Sequence, residues 1–297
     1  MRHFFSSYER EPGTIYPALL TLIDKKNCMT SIPLILGGHS FIQQLGNDPQ
    51  PSEATQLAIV AACLDQGITW FDTTYQPERL ALGKALARLG RRAEATIIAW
   101  NFFVDFDDNG EVGGPDYYQP HHIAQMLAQL QTDWIDCLVV HDLTDPDENQ
   151  RQLALAQEWQ AHGLVKRLGT WYPPENADRV LAGSPFSFMV RPNNITTSQA
   201  APVFAACKRL DWENFACSPF VRGWEFDKLA QRLTKTHGGV SPTVRGQVAD
   251  VFLRYSLFQS DVDRLIVAIR NPEWVTRNIQ SIAKGPVTAA ELAWLGI

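Results

Sequence analysis

Three residues at or just beyond predicted strand ends carry groups that move protons. Asp72 and Tyr75 lie in the run Phe71-Asp72-Thr73-Thr74-Tyr75-Gln76-Pro77-Glu78-Arg79, and His141 closes the run Ile135 to His141. A carboxyl, a phenol and an imidazole brought together can exchange a proton with the oxygen of a carbonyl compound, as a lyase or an isomerase requires. The residue types alone leave a simpler role open, with Asp72 and His141 satisfying local backbone groups and Tyr75 forming a pocket wall. A free phenol has a pKa of about 10, and no neighbouring cation in the sequence draws Tyr75 toward neutrality. Lys84 follows the Leu82-Gly83 step and belongs to the next helix, where a lysine is solvated.

Trp100, Phe102, Phe103, Trp171, Tyr172 and Trp224 also fall at or just past predicted strand ends. Such aromatics either stack on sugar or aromatic faces or fill the volume themselves; Trp100, Trp171 and Trp224 are the candidate substrate-pocket residues. The five cysteines, Cys28, Cys63, Cys137, Cys207 and Cys217, are odd in number and widely spaced without a C-x-x-C pair. This argues against a disulfide framework and a zinc cluster. Four of them sit in apolar segments and read as small buried hydrophobes. His121 and His122 are adjacent and cannot form an i, i+4 metal pair, so no metal is expected.

The elements that must position these groups alternate along the chain. Strands are expected at Ile32 to Leu36, Ile68 to Asp72, Thr96 to Trp100, Ile135 to His141, Lys166 to Thr170, Phe188 to Arg191, Phe215 to Ser218 and Leu265 to Ile269. Segments of helical period lie between them at Ser52 to Asp65, Arg79 to Leu89, Pro120 to Leu130, Asp147 to Ala161, Pro174 to Leu181, Ala200 to Arg209, Val244 to Phe258 and Pro272 to Ile282. From Ile32 to Gly285 is 254 residues, or about 32 per unit, which fits a single (β/α)8 barrel in the α/β class. The runner-up is an open sheet with a dinucleotide fingerprint, but only Gly37 and Gly38 follow the first strand where G-x-G-x-x-G is needed. Residues 1–297 thus read as one barrel domain with an N-terminal extension over 1–31. Its extended-looking run, Thr14 to Ile23, suits a hairpin on the barrel floor. Two long connections, Asn101 to Gln119 after strand three and Pro219 to Ser241 after strand seven, stand as lids over the mouth or as solvated insertions.

Composition narrows the partners. The 297 residues are 45% hydrophobic and 20% charged, and 32 acidic against 26 basic side chains give a net charge of −6. No segment gathers Lys and Arg, so nucleic acid and anionic membrane surfaces are not expected partners. No apolar stretch approaches the roughly 18 residues of a bilayer span and Met1 to Arg10 lacks an apolar signal core, which points to a cytoplasmic chain.

The run from Phe71 to Arg79, with Leu82-Gly83-Lys84-Ala85-Leu86 after it, resembles the signature of the aldo/keto reductases, in its Y-G-P-S form as in sugar dehydrogenases. A second block, Leu130-Gln131-Thr132-Asp133-Trp134-Ile135-Asp136-Cys137-Leu138-Val139-Val140-His141, is similar to the family's L-x-T-D-Y-I-D-L-L-L-x-H. Gly163 to Gly169, Ser218-Pro219-Phe220 with Arg222-Gly223, and Ile266 through Asn271-Pro272-Glu273 to Asn278 follow the later blocks in order. The resemblance implies a barrel in which NADPH gives a hydride to a small carbonyl or sugar substrate. Tyr75 is then the acid, Asp72 its support and His141 the donor that orients the carbonyl oxygen. Ser218, Arg222, Arg270 and Asn278 become the candidate cofactor-binding residues, toward phosphate and adenine in the case of the arginines and the asparagine.

The departures from that pattern are chemical. Ile98-Ala99-Trp100-Asn101 puts Trp100 where the family has its lysine. Trp171-Tyr172 replaces Ser-Asn after strand five, the glutamine of strand six is replaced near Val190, and Cys217 stands where an aromatic stacks on the nicotinamide. These changes keep two further classes open, a non-redox lyase or isomerase and a ligand-binding or regulatory protein on the same scaffold.

Overall fold

Short runs of β-branched and aromatic residues form eight parallel strands: β1 (Leu34–Leu36), β2 (Trp70–Thr73), β3 (Thr96–Trp100), β4 (Ile135–His141), β5 (Val165–Trp171), β6 (Phe186–Pro192), β7 (Glu213–Cys217) and β8 (Arg264–Val267). The computed structural model describes residues 32–43, 49–103, 113–171, 184–197, 200–221, 228, 230–233 and 242–296. Each strand pairs with the next in sequence, and β1 closes on β8 through Leu34↔Leu265, Ile35↔Ile266 and Leu36↔Val267. Helices α1 (Glu53–Asp65), α2 (Gln76–Leu89), α3 (His122–Leu130), α4 (Pro146–Ala161), α5 (Ala201–Lys208), α6 (Pro242–Leu257), α7 (Pro272–Ile282) and α8 (Ala289–Leu295) complete the ordered elements named here. The expected (β/α)8 barrel is therefore the fold, in the compact unit Ser31–Ile297. The expected hairpin at Thr14 to Ile23 and the helix at Pro174 to Leu181 lie outside the described residues.

Alternate strand positions fill the barrel. Ile35, Ile98, Trp100, Cys137, Val139, Phe188, Val190, Phe215 and Ile266 form one buried cluster, with Trp70, Phe102, Trp171 and Cys217 packed against it. This is the layered interior such barrels require, and it makes the centre a packed core. Gly169 of β5 is part of the fit, because a Cβ there would stand 2.2 Å from the Phe188 ring. Cys63, Cys137 and Cys207 are buried free thiols, as expected of small hydrophobes, while Cys217 is only partly covered.

Several boundaries differ from expectation for local reasons. Helix α2 begins at Gln76, three residues before the expected start, because Glu78 turns its carboxylate back onto the N–H groups of Thr74 (2.6 Å) and Tyr75 (3.2 Å). That contact satisfies donors that an uncapped first turn would leave bare. Strand β8 stops at Val267, and the N–H of Ile269 instead donates to Ser40 Oγ at 2.8 Å. Helix α8 was not expected. Its Thr288 and Glu291 form a capping box, with Thr288 N–H donating to Glu291 Oε2 at 2.8 Å and Glu291 N–H to Thr288 Oγ1 at 3.2 Å.

Among the described residues no helix is long and apolar enough to cross a membrane, and no group of three or more His, Cys, Asp or Glu is placed to hold a metal ion.

Candidate active site

The C-terminal ends of β2, β3 and β4 bring Asp72, Trp100 and His141 to one rim. Asp72 is 5% exposed, and its Oδ1 accepts the indole N–H of Trp100 across 2.6 Å. Burial drives its carboxyl up to about 7; the Trp100 bond opposes that rise and the nearby Glu78 adds to it. Glu78 is itself fully buried and is also pushed up to about 7 by desolvation, against the two backbone bonds it accepts. His39 Nδ1 stands 3.2 Å from Glu78 Oε1. Gly38 makes the closeness possible, since a Cβ there would fall 2.9 Å from the Asp72 carbonyl and closer still to the Glu78 carboxylate.

Tyr75 enters α2 beside this cluster. Its ring meets Phe102 edge-on with centroids 5.2 Å apart, and His39 at 5.8 Å. Phe102 also meets the His141 ring at 6.1 Å, so Tyr75 and His141 touch the same aromatic side chain. Arg79 holds the arrangement from below. Fully buried, it donates Nη1 to Thr74 O (2.8 Å), Nη2 to Phe102 O (3.0 Å) and Nε to Gln129 Oε1 (2.6 Å). A single guanidinium thus ties the turn before Tyr75 to the segment after β3.

His141 is pinned on both sides of its backbone. Its N–H donates to Asn101 Oδ1 at 3.3 Å and its carbonyl accepts from Gln152 Nε2 at 2.9 Å. The imidazole stacks on Trp171 at 5.7 Å with 21° between planes, and its Nδ1 lies 3.2 Å from the Asp142 carbonyl oxygen. Burial lowers its pKa, the Asp142 bond raises it, and the Arg191 guanidinium lowers it further. Arg191, a buried residue of β6, stands over the Trp171 ring at 5.3 Å. The sequence signals it only as a lone arginine next to Val190, closing the apolar run Phe188 to Val190. Phe102, His39 and Glu78 were likewise not among the proposed site residues: the contacts of Phe102 and His39 with Tyr75 arise only when separate loops meet, whereas the Glu78 carboxylate reaches the Tyr75 N–H from three residues away, within the Tyr75-Gln76-Pro77-Glu78 run itself.

The remaining expected residues are more dispersed. Cys217 neighbours Asp72 and Arg191 electrostatically, and burial pushes its thiol up to about 12, which keeps it from acting as a thiolate nucleophile. Ser218 is exposed at φ +58, its carbonyl accepting from Asn194 Nδ2 at 2.9 Å. Arg270 directs Nη1 to the carbonyls of His39 (2.9 Å) and Ile42 (2.6 Å) and Nη2 to that of Pro49. Asn278 is half-buried on α7. Arg222 and Trp224 lie outside the described residues. Lys84 pairs with Glu53 on the exposed helix surface, 3.2 Å away.

The barrel is similar to the solved structure of the aldo-keto reductase AKR11C1 from Bacillus halodurans (holo form), with a TM-score of 0.64 and 20% identity over 89% of this chain and 91% of that one. At that identity the likeness speaks for the fold. No curated protein matches the chain in sequence. The model of the family described as Aldo/keto reductase family matches residues 33–295, almost the whole barrel unit, and the chain therefore belongs to the aldo/keto reductase family.

Proposed function

We propose that this chain is a divergent oxidoreductase that interconverts a carbonyl and a hydroxyl on a small, sugar-like molecule with a nicotinamide dinucleotide, NADP(H) in the first instance. The observation that carries the reading is that the rings of Tyr75 and His141 both meet Phe102 edge-on, with buried Asp72 at the adjoining strand end. In this arrangement Tyr75 exchanges a proton with the substrate oxygen, His141 contacts the substrate beside that oxygen, and Asp72 supports the site through Trp100. Trp100 and Trp171 form the aromatic wall against which the substrate packs, and Trp224 is assigned to the substrate from its place in the sequence alone.

The residues present suit a dinucleotide by their donor chemistry. The guanidinium of Arg191 in β6 supplies a cation for a phosphate-bearing group, and Ser218 is exposed at the end of β7. Ser218, Arg222, Arg270 and Asn278 would hold the cofactor, with at least three of the Arg270 N–H bonds already given to loop carbonyls. When bound, such a group supplies the hydride. A titration following NADPH fluorescence tests the reading: a change saturating at micromolar protein supports it, and no change at high micromolar protein and cofactor sinks it.

One observation favours a second reading. The indole of Trp100 occupies the position of a cation beside Asp72 and is itself hydrogen-bonded to it, so the scaffold is rebuilt where the family's lysine assists the tyrosine. A proton-transfer enzyme without nicotinamide would turn over a carbonyl compound unaided and lose that activity in Tyr75→Phe. A binding protein would retain its ligand after Tyr75→Phe and His141→Ala.

A further inference from the structure

We infer that His141 presents Nε2 as a hydrogen-bond acceptor, so that the group it engages at the barrel mouth is a substrate hydroxyl. The inference rests on the mouth being the catalytic site and concerns what the imidazole selects there. It reverses the duty that the family resemblance gives this histidine, which is to donate to a carbonyl oxygen.

The geometry begins with Nδ1, 3.2 Å from the carbonyl oxygen of Asp142. A carbonyl oxygen can only accept, so the neutral ring carries its hydrogen on Nδ1 and leaves a lone pair on Nε2. The carbonyl that sets this tautomer is anchored in turn. Asp142 N–H donates to Trp171 O at 3.2 Å, and the Asp142 carboxylate accepts from Asn149 Nδ2 at 2.8 Å. The ring itself cannot easily turn over, because Trp171 stacks on it and Phe102 meets it edge-on. Among the described residues no protein group bonds Nε2. Burial and the Arg191 charge keep the imidazole below its ordinary pKa, so its lone pair persists near neutral pH.

A hydroxyl fits such an atom and a carbonyl does not. An alcohol gives its O–H to Nε2; a ketone or aldehyde would set its own oxygen lone pairs against that of the nitrogen.

Nitrogen NMR of the full chain, carrying heavy-nitrogen histidine, tests this. The His141 signals are those lost in both His141→Gln and His141→Asn; one variant suffices if the other fails to fold, and contacts to the Trp171 ring identify them if neither folds. The expected spectrum has Nε2 in the unprotonated range and Nδ1 in the protonated one. 2-Propanol moves the Nε2 resonance in the direction of an accepted hydrogen bond, while acetone at the same concentration leaves it in place. A hydrogen on Nε2 in the neutral ring overturns the inference, as does an acetone response equal to that of 2-propanol or no response to either. No nicotinamide enters these readouts. A chain that shows the acceptor tautomer yet fails to bind NADPH loses the oxidoreductase reading alone.

Discussion

The indole nitrogen of Trp100 donates to Asp72 Oδ1 over 2.6 Å and joins the ends of β3 and β2 at the rim of the barrel. A neutral donor here leaves the carboxyl with far less stabilisation of its charge than an ammonium would provide, and desolvation wins, lifting it to about 7. Trp100→Phe keeps the ring and removes the donor. Stability should fall by about 1–3 kcal/mol, as expected for a buried acceptor left unmet, read from urea unfolding midpoints. Trp100→Lys restores a cation beside Asp72, and reductase activity should appear or rise in a steady-state assay. Continued inactivity would mean that the pocket has been rebuilt around the indole.

The two raised carboxyls set a pH signature. Asp72 and Glu78 have ordinary values of 3.8 and 4.5 and each stands at about 7 in the folded chain. The folded state therefore holds protons that the unfolded state has released, and their contribution is complete below about pH 4 and lost as pH rises toward about 7. His122, lowered to about 4 by burial, and His141, also lowered, act in the opposite sense below their ordinary value of 6.5. Comparing the parent chain with Asp72→Asn cancels the histidines. The stability of Asp72→Asn relative to the parent should climb between about pH 4 and pH 7 and level off above, in denaturant titrations at several pH values.

Tyr75→Phe removes a hydroxyl and keeps the ring packed between Phe102 and His39. If Tyr75 exchanges the substrate proton, turnover should drop about 10²–10⁴-fold with little change in melting temperature. An unaltered rate would move the proton transfer to another group.

Arg79 and Gly169 are expected to matter to stability before activity. Arg79→Met strips donors from Thr74 O, Phe102 O and Gln129 and should cost about 1–3 kcal/mol for each buried acceptor left unmet. Gly169→Ala forces a methyl toward the Phe188 ring inside a closed barrel and should cost about 1–3 kcal/mol. Calorimetric melting of each purified variant measures both.

Much of this architecture is legible in the chain because each βα unit is local. Thr96–Trp100 and Ile135–His141 are strands over the residues expected, since their apolar runs are bounded by turns and buried on both faces. Strands β5 and β6 run longer than expected at both ends, because the residues just outside the apolar runs still pair with the neighbouring strands, Val165 with Ile135, Trp171 with His141, Phe186 with Leu168 and Pro192 with Cys217. In the candidate site, the rim positions of Asp72, Trp100 and His141 follow from strand ends. The mutual geometry does not. It depends on Phe102 meeting both Tyr75 and His141, on Arg79 reaching Phe102 O, and on Arg191 covering Trp171, all of which are contacts between units.

Arg270 grips carbonyls of His39, Ile42 and Pro49, more than two hundred residues earlier in the chain, while Ile269 N–H reaches Ser40. The loop that carries His39 to Glu78 and Tyr75 is therefore held by the final βα unit. During synthesis, a nascent polypeptide has translated every group of the rim through His141 long before it has the clasp that secures one of them. Competence for ligand should arrive in a single late event, after Arg270 has cleared the ribosomal tunnel and α7 has docked, with earlier partial chains unable to bind.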